Sequence, residues 1–373
     1  MKWFATCARG LEPFLSKELH LLQAENIQEE RGGVSFTGSM DFVYLTNLYL
    51  RTAVRILRPI HEGELTSKES LYDLVREVDW QKYLTLQHTF VVDCNIRDSL
   101  VTHSLYAAQL MKDAICDQFL EKCGQRPSVD LQNPMLQFNL HIYRNRVVIS
   151  LDSTGDSLHK RGYRPHLHRA PLNEALACGL IMCTGWDGTT PLVDPMCGSA
   201  AIPIEAAWLA TNRPPGLTRK QFCFQTWLDY DRQRWHDIRD EARSKVLKSL
   251  ASPIIGSDIR GDAIRMAEQD ARSAGVGSLI KFEKLDIYDC YPPDGYTTGT
   301  LLCNPPYGIR IGEMGDLREL YREIEPLFSE RFAGWRCWIF TGNLALAKLI
   351  RLKVREKYHF MNGTISCQLL GYW

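Results

Sequence analysis

Apolar residues along the first sixty positions alternate with polar ones or recur at helical spacing. They predict a short mixed unit over residues 1–63. Its elements are two strands, Lys2–Cys7 and Val34–Phe36, and two helices, Leu11–Leu22 and Phe42–Leu57. This order of strands and helices favours a ferredoxin-like arrangement.

Residues 64–154 predict a second α+β unit. Its expected elements are a helix at Leu71–Val78, a strand at Thr89–Ile96, a long amphipathic helix at His103–Cys123, and strands at Met135–Tyr143 and Arg146–Leu151. The last two strands are separated by a tight turn at Asn145, so they predict a β-hairpin.

From residue 172 to 373 strands alternate with helices. Predicted strands lie at Pro191–Val193, Pro253–Gly256, Ile280–Lys284, Thr300–Cys303, Arg336–Phe340, Tyr358–Phe360 and Ile365–Tyr372. Such alternation predicts a doubly wound α/β sheet, mostly parallel, with a terminal hairpin turning at Asn362-Gly363. Ligands of these sheets bind beyond the carboxyl ends of the strands.

Composition excludes several classes of protein. Lys+Arg and Asp+Glu both number 44, so binding of nucleic acid by bulk charge is not expected, and a basic surface must be local. The 12 cysteines form no C-x-x-C pair and no zinc-ligand spacing. We therefore expect buried thiols in a reducing cytoplasm and no metal site. No run of about 18 apolar residues predicts a membrane span.

A small-residue loop directly follows the predicted strand Pro191–Val193 and precedes a helix. Its residues are Asp194, Pro195, Met196, Cys197, Gly198, Ser199 and Ala200. Small side chains allow backbone N–H groups at a helix N-terminus to approach an anionic ligand group. The loop is neither a Walker A loop nor a G-x-G-x-x-G turn, and an ordinary strand-to-helix turn is the alternative.

Two acids stand at the ends of the next strands. Asp258 closes the Gly-Ser-Asp that ends the second strand, where a carboxylate can accept hydrogen bonds from both ribose hydroxyls. Asp286 follows the third strand and suits an adenine amino group. Either acid could instead cap a helix, but together they favour a nucleoside-type cofactor.

The strongest signal is Asn304-Pro305-Pro306-Tyr307, directly after the strand Thr300–Cys303. Two prolines stiffen the backbone and donate no hydrogen bonds. The Asn304 amide oxygen and the Pro305 carbonyl can then accept both hydrogens of one exocyclic amine, while Tyr307 offers a face for stacking a base. A rigid turn with a core tyrosine is the alternative.

These motifs resemble class I S-adenosylmethionine-dependent methyltransferases that act on an amino nitrogen. Four segments are similar to the THUMP-containing RNA guanine-N2 methyltransferases, in particular the bacterial 23S rRNA enzymes. They are FATCARGLE at 4–12, GGVSFTG at 32–38, TGDSLHKRGYR at 154–164 and NPPYGIR at 304–310. The likeness covers essentially the whole chain and implies the form that lacks a second, fused methyltransferase.

The resemblance implies a Rossmann-like class I methyltransferase domain with a mixed seven-stranded sheet at 172–373, preceded by ferredoxin-like (1–63) and THUMP (64–154) domains. It implies S-adenosylmethionine as cofactor. The cofactor would be held at its methionine end by Asp194, Pro195, Cys197, Gly198 and Ser199, at the ribose by Asp258 and at the adenine by Asp286, and Asn304 would also contact it. Asn304, Pro305, Pro306 and Tyr307 would hold the target base.

The resemblance also implies an RNA substrate, rRNA first and tRNA second. Residues 155–171 form a basic linker, which we expect to contact phosphates and bases, although a solvated tether paired with acids is the alternative. The residues expected to bind RNA are Lys160, Arg161, Tyr163, Arg164 and Arg169 of this linker, with Arg310 beyond the Asn-Pro-Pro-Tyr loop.

Two departures from the family pattern leave other functions open. Ala200-Ala201 replace a usual Gly-Thr, and alanine would be strained at position 200 if φ must be positive there. Ile309 replaces an expected acid. An adenine-N6 methyltransferase, a tRNA guanine-N2 methyltransferase and a non-catalytic RNA-binding assembly factor are therefore kept as alternatives.

Overall fold

The computed structural model describes residues 1–164, 172–307 and 314–373. Eight strands of the first 152 residues form one sheet in the order β2-β3-β1-β4-β8-β7-β5-β6. They are β1 (Lys2–Cys7), β2 (Glu25–Glu30), β3 (Gly33–Thr37), β4 (Ala53–Glu64), β5 (Thr89–Arg97), β6 (Ser128–Val129), β7 (Leu136–Tyr143) and β8 (Arg146–Asp152). Four helices pack with this sheet: α1 (Glu12–Leu21), α2 (Asp41–Tyr49), α3 (Ser70–Arg76) and α4 (Ser104–Cys123).

Strand β4 joins the two N-terminal units, because it pairs with β1 on one side and with β8 on the other. It also crosses the predicted domain boundary at residue 63. The predicted helix Phe42–Leu57 is wrong beyond Tyr49, because residues from Ala53 onward belong to this twelve-residue strand. The apolar residues there fit both the helical spacing and the alternation of a strand. Pairing with two neighbouring strands is what selects the extended form.

The second sheet has seven strands in the order β11-β10-β9-β12-β13-β15-β14. They are β9 (Leu192–Asp194), β10 (Ile254–Asp258), β11 (Ile280–Lys284), β12 (Thr300–Cys303), β13 (Arg336–Thr341), β14 (Glu356–Asn362) and β15 (Ile365–Tyr372). Strand β15 runs antiparallel to both of its neighbours, β13 and β14, whereas the other neighbouring strands among the described residues of this sheet pair in parallel. This confirms the predicted mixed seven-stranded sheet of the class I methyltransferase fold.

Six helices accompany this sheet: α5 (Glu174–Thr184), α6 (Ala201–Ala210), α7 (Arg232–Ser244), α8 (Gly261–Ser273), α9 (Met314–Pro326) and α10 (Leu344–Ala347). No helix in the described residues is both long enough and apolar enough to cross a membrane.

The first unit packs closely against the second sheet. A Cβ added at Gly10 would lie 2.2 Å from the carbonyl oxygen of His359, and one at Gly216 would lie 2.6 Å from that of Asn47. Only glycine permits such approaches of one backbone to another. Ion pairs reinforce the contact, including Arg58 to Asp229 at 2.6 Å.

A buried ion pair lies where the basic linker meets both parts of the molecule. Arg161 is 1% exposed, and its Nε lies 3.4 Å from Oε1 of Glu205, a fully buried residue of α6. The same guanidinium donates to the carbonyls of Leu158, at 2.8 Å, and of Arg51 in the first unit. Arg161 is therefore not the exposed RNA contact that the sequence predicted.

The next two linker residues are held in the same way. Tyr163 is 1% exposed and donates its hydroxyl to Oε1 of Glu205 at 3.3 Å. The mostly buried side chain of Arg164 lies 3.3 Å from Glu174 and 3.9 Å from Asp270. The prediction of an RNA-binding patch is therefore wrong for Tyr163 and finds no support at Arg164, because buried acids hold these side chains inside the protein.

We expect Arg161→Ala to lower the free energy of unfolding by about 3–5 kcal/mol, because it leaves the Glu205 carboxylate buried without its cation. Urea unfolding followed by tryptophan fluorescence measures this change. Lys160→Ala is the matched control: this neighbouring cation is exposed and pairs with Asp156 at 3.2 Å, so the expected loss is under about 0.5 kcal/mol. Equal effects of the two substitutions would contradict the structural role of Arg161.

Candidate functional site

The candidate site lies at the carboxyl edge of the second sheet. Chain order reverses between β9 and β12, which are neighbours in the sheet although β10 and β11 separate them in sequence. Loops leave such a switch point in opposite directions and open a crevice between them. Asp194 ends β9, Asp258 ends β10, and Asn304 follows β12 directly. The structure therefore brings together the motifs that the sequence singled out.

The loop at 194–200 is held by hydrogen bonds to the end of β10. The Cys197 N–H donates to the Ser257 carbonyl at 2.9 Å, and the Gly198 N–H donates to the Asp258 carboxylate at 3.1 Å. The second carboxylate oxygen of Asp258 accepts the Arg260 N–H at 2.9 Å. Asp258 thus fixes two neighbouring loops, and its carboxylate lies beside the glycine turn.

Ala200 adopts the left-handed conformation, with φ +62° and ψ +36°. The sequence predicts strain at Ala200 if φ is positive there. This is confirmed, because φ is positive and alanine occupies a backbone conformation that favours glycine. This costs about 1–2 kcal/mol relative to a right-handed backbone. Gly198, with φ +53°, meets the same requirement without a side chain, and Pro195 and Ser199 complete the turn.

Asp194 is buried at the base of this loop and is 2% exposed. Burial raises its pKa well above the usual range, and the nearby Asp258 carboxylate raises it further, while the Met196 N–H, donated at 3.3 Å, opposes the shift. No cation among the described residues contributes to lowering this pKa. Burial also raises the pKa of the adjacent Cys197 thiol, so it is not a reactive thiolate.

Asn304 begins the turn after β12. Its Oδ1 is enclosed and has no hydrogen-bond partner in the part of the chain that the structure describes. A buried acceptor without a donor costs about 1–3 kcal/mol. Pro305 is buried and Pro306 is exposed. Asp286 lies at the end of β11, where its side chain accepts the Tyr288 N–H at 3.1 Å and caps a short turn.

Tyr307 is held at both ends by asparagines that sequence reasoning missed. Asn362, the last residue of β14, donates its amide to the Tyr307 hydroxyl at 3.1 Å. Asn343, after β13, donates to the Tyr307 carbonyl at 3.3 Å. A Cβ at Gly342 would lie 3.2 Å from the Tyr307 ring. The only sequence signal was the Asn-Gly turn, which indicated a hairpin but not its contact with Tyr307.

Two other kinds of site are relevant among the described residues: a metal site and a second cavity. No group of three or more potential metal ligands lies together within them. A cavity of about 350 Å³ lies at the opposite, amino edge of the sheet and is lined mainly by threonines, glycines and Arg336. Its one acid, Asp187, is already bound by the N–H and hydroxyl of Thr189.

Comparison with known families agrees with the fold. Residues 161–370 match the model described as the RMKL-like methyltransferase domain, residues 66–152 match the THUMP domain, and residues 2–57 match the RlmL ferredoxin-like domain. The chain belongs to the RMKL-like methyltransferase family. The N-terminal matches confirm the predicted ferredoxin-like and THUMP units.

Curated relatives of this methyltransferase include the ribosomal RNA large subunit methyltransferase K/L of Syntrophotalea carbinolica. It is 40% identical over all of this chain, but the match covers only 53% of its own length. The corresponding protein of Methylococcus capsulatus is 40% identical with 50% of its length covered. The chain thus spans about half the length of these K/L relatives. It covers 96% of the Synechocystis protein slr0064, at 39% identity.

Two solved structures resemble this methyltransferase over its whole length. The crystal structure of SMU.472 complexed with SAH has a TM-score of 0.90 at 29% identity, with 97% of that chain covered. A Listeria monocytogenes protein described as a predicted N6-adenine-specific DNA methylase has a TM-score of 0.89 at 31% identity, with 96% covered.

Three of the residues predicted to bind RNA are not buried in the structure or lie outside the part of the chain that it describes. Lys160 is exposed, with its amine 3.2 Å from Asp156. Arg169 and Arg310 lie outside the described residues.

We expect Asp194→Asn to stabilise the ligand-free protein at pH 8 by about 1–3 kcal/mol, because it removes a buried acid that must either bind a proton or carry a buried charge at this pH. The folded pKa of Asp194 is raised. The protonated Asp194 side chain therefore contributes its full stability below the unfolded pKa of about 4. That contribution is lost as the pH rises through the folded pKa. The gain in the variant should therefore shrink as pH falls toward about 4.

Chemical unfolding at several pH values measures this gain. Asp286→Asn is the control, because it makes the same substitution at a partly exposed acid of a neighbouring strand end and removes no buried carboxyl group. A gain for Asp194→Asn that is equal at all pH values would show that the buried charge is not its cause.

Proposed function

We propose that this protein transfers a methyl group from S-adenosylmethionine to the exocyclic N2 of a guanine in 23S rRNA. Support comes from the methyltransferase fold, the THUMP domain and the named K/L relatives. The observation that carries the chemistry is the enclosed, unpartnered oxygen of Asn304 at the end of β12. An rRNA substrate also implies action in the cytoplasm, where the free cysteines stay reduced.

The charges of the site fit this cofactor. S-Adenosylmethionine carries an ammonium and a sulfonium, and Asp194 is a buried carboxylate that lacks a cation in the described residues. The loop Cys197–Ser199 would border the methionine end, with its Gly198 N–H already bound to Asp258. Asp258 would hold the ribose, and Asp286 the adenine. When bound, the cofactor supplies an electrophilic methyl group.

The residues after β12 would hold the target amine. The Asn304 oxygen and the Pro305 carbonyl would each accept one N–H of the amine, so that its lone pair points away from both. Neither oxygen is a strong base, and the arrangement therefore accelerates the reaction chiefly by position. A donor entering here also removes the cost of the unpartnered Asn304 oxygen.

The Tyr307 ring would stack on the flipped base. Its hydroxyl and carbonyl are both bound by asparagines, so its plane is fixed before the base arrives. Flipping a base costs about a few kcal/mol, which stacking on an aromatic ring of fixed orientation helps to offset.

Adenine-N6 methylation is the second candidate. The Listeria protein of similar fold carries that description, and an adenine N6 amine could meet the same two acceptors. Nucleoside mass spectrometry of rRNA, tRNA and DNA from cells with and without the protein separates the two. Loss of N2-methylguanosine from 23S rRNA is expected. Loss of N6-methyladenine instead would establish the second candidate, and an unchanged profile would refute both.

Asn304→Ala should lower the turnover number about 10²–10³-fold, because one of two acceptors for the amine is lost. Methyl incorporation into 23S rRNA measures the rate, and calorimetry measures S-adenosylmethionine affinity, which should change less than about tenfold. Unchanged turnover in this variant would show that Asn304 does not hold the target amine. Absence of cofactor binding by the unaltered protein at millimolar concentration would favour the non-catalytic alternative.

Asn362→Ala should reduce turnover about tenfold with cofactor affinity unchanged, because Tyr307 loses the hydrogen bond that fixes its ring. Tyr307→Phe removes the same bond and should have the same effect, and the double variant should be no worse than either alone. Asn26→Ala, which removes an exposed hydrogen bond in the first sheet, is the control. Additive losses would show that Asn362 acts independently of Tyr307.

A further inference from the structure

A basic segment connects α10 to β14. From Lys348 to Lys357 five of ten residues are Lys or Arg and one is an acid, in a chain whose net charge is zero. These five cations are Lys348, Arg351, Lys353, Arg355 and Lys357, and all are exposed. We call them the 348–357 face.

The side chains of these five cations form no ion pair with an acidic side chain among residues 1–164, 172–307 and 314–373. The Glu325 carboxylate does accept the backbone N–H of Arg351 at 3.0 Å, and Arg355 donates to the main-chain oxygen of Trp373 at 3.0 Å. Some exposed cations elsewhere in the same domain do have such a partner: Arg243 lies 2.9 Å from Asp240, and Lys245 lies 2.5 Å from Glu241. The 348–357 face is therefore a local excess of positive charge.

The backbone of this face is anchored. Leu346, Ala347 and Ile350 are buried among apolar residues of α9 and β13, which leaves the cations on the solvent side. Sheet pairing fixes the far end, because Glu356 of β14 lies opposite Gly371 of β15. A charged surface of fixed shape can bind an extended anion without first being ordered.

The position of the face relates it to the candidate site. Asn343, which binds the Tyr307 carbonyl, caps α10, and Lys348 follows five residues later, about 8 Å along a helix. Strand β14 is parallel to β13, so the segment returns from the carboxyl edge of the sheet to its amino edge. The face therefore begins beside the turn that holds Tyr307 and descends one side of the domain.

We propose that the 348–357 face binds the phosphate backbone of the RNA that flanks the target nucleotide. This rests on the proposed RNA methyltransferase function and extends it, since the buried linker residues Arg161 and Tyr163 cannot supply such contacts. Phosphates spaced along an RNA strand match cations spaced along a fixed segment of the protein. These contacts would fix the position of the RNA on the protein without recognising its base sequence.

The test compares two triple variants of equal charge change. Lys348→Gln, Arg351→Gln and Lys353→Gln remove three unpaired cations of the face. The control removes three paired cations of the same domain, Arg243, Lys245 and Arg272, each replaced by Gln; the last lies 3.8 Å from Glu268. Binding to protein-free 23S rRNA made by transcription is measured from 50 to 300 mM salt, with methyl transfer and S-adenosylmethionine affinity measured in parallel.

The face variant should bind this RNA at least about tenfold more weakly, with the slope of log affinity against log salt reduced by about 2–3. Turnover at saturating RNA and cofactor affinity should stay within about twofold, so the loss appears in KM. Equal RNA affinities of the two triple variants would overturn the proposal while leaving the methyltransferase function intact. If the unaltered protein neither binds nor methylates RNA, the proposed function and this proposal both fail.

Discussion

The buried pair of Arg161 and Glu205 is the constraint on which the arrangement of the molecule depends. Desolvating two charges costs several kcal/mol per ion, so the pair persists only where further hydrogen bonds satisfy it. The carbonyls of Leu158 and Arg51 supply them. Glu205 lies on α6, which starts directly after the loop at Asp194. The same interaction therefore fixes the N-terminal units relative to the loop proposed to bind the cofactor.

Much of the fold can be predicted from the local pattern of apolar and polar residues. The wrong predictions concern contacts between residues that are far apart in the sequence. Parallel strands buried on both faces, such as Thr300–Cys303, are continuous apolar runs, and their ends placed Asn304 and Asp194 correctly at one edge. Residues 53–57 fit a helix equally well until β1 and β8 are known to pair with them. Arg161 gave a basic signal in sequence, whereas its partner Glu205 is 44 residues away and only the tertiary fold joins them.

The candidate site carries three features that cost stability: a buried carboxylate at Asp194, an unpartnered oxygen at Asn304, and an alanine at positive φ at position 200. Each costs of order 1–3 kcal/mol. A sequence selected for stability alone would remove all three. The first two costs would be offset if a cationic ligand and an amine donor bind at this edge, because those groups supply the cation and the hydrogen bond that the protein lacks.

A chain with no net charge must bind RNA through local surfaces, and burial decides which cations are available for them. In the linker, Arg161 is buried against Glu205, whereas the five cations of the 348–357 face are exposed to solvent, and the first of them, Lys348, lies near the turn that holds Tyr307. Phosphate contacts near the reacting nucleotide restrict the approach of the base more than contacts made far away, because a short tether leaves fewer orientations to sample. A positive surface that begins next to the site could therefore help to position the base.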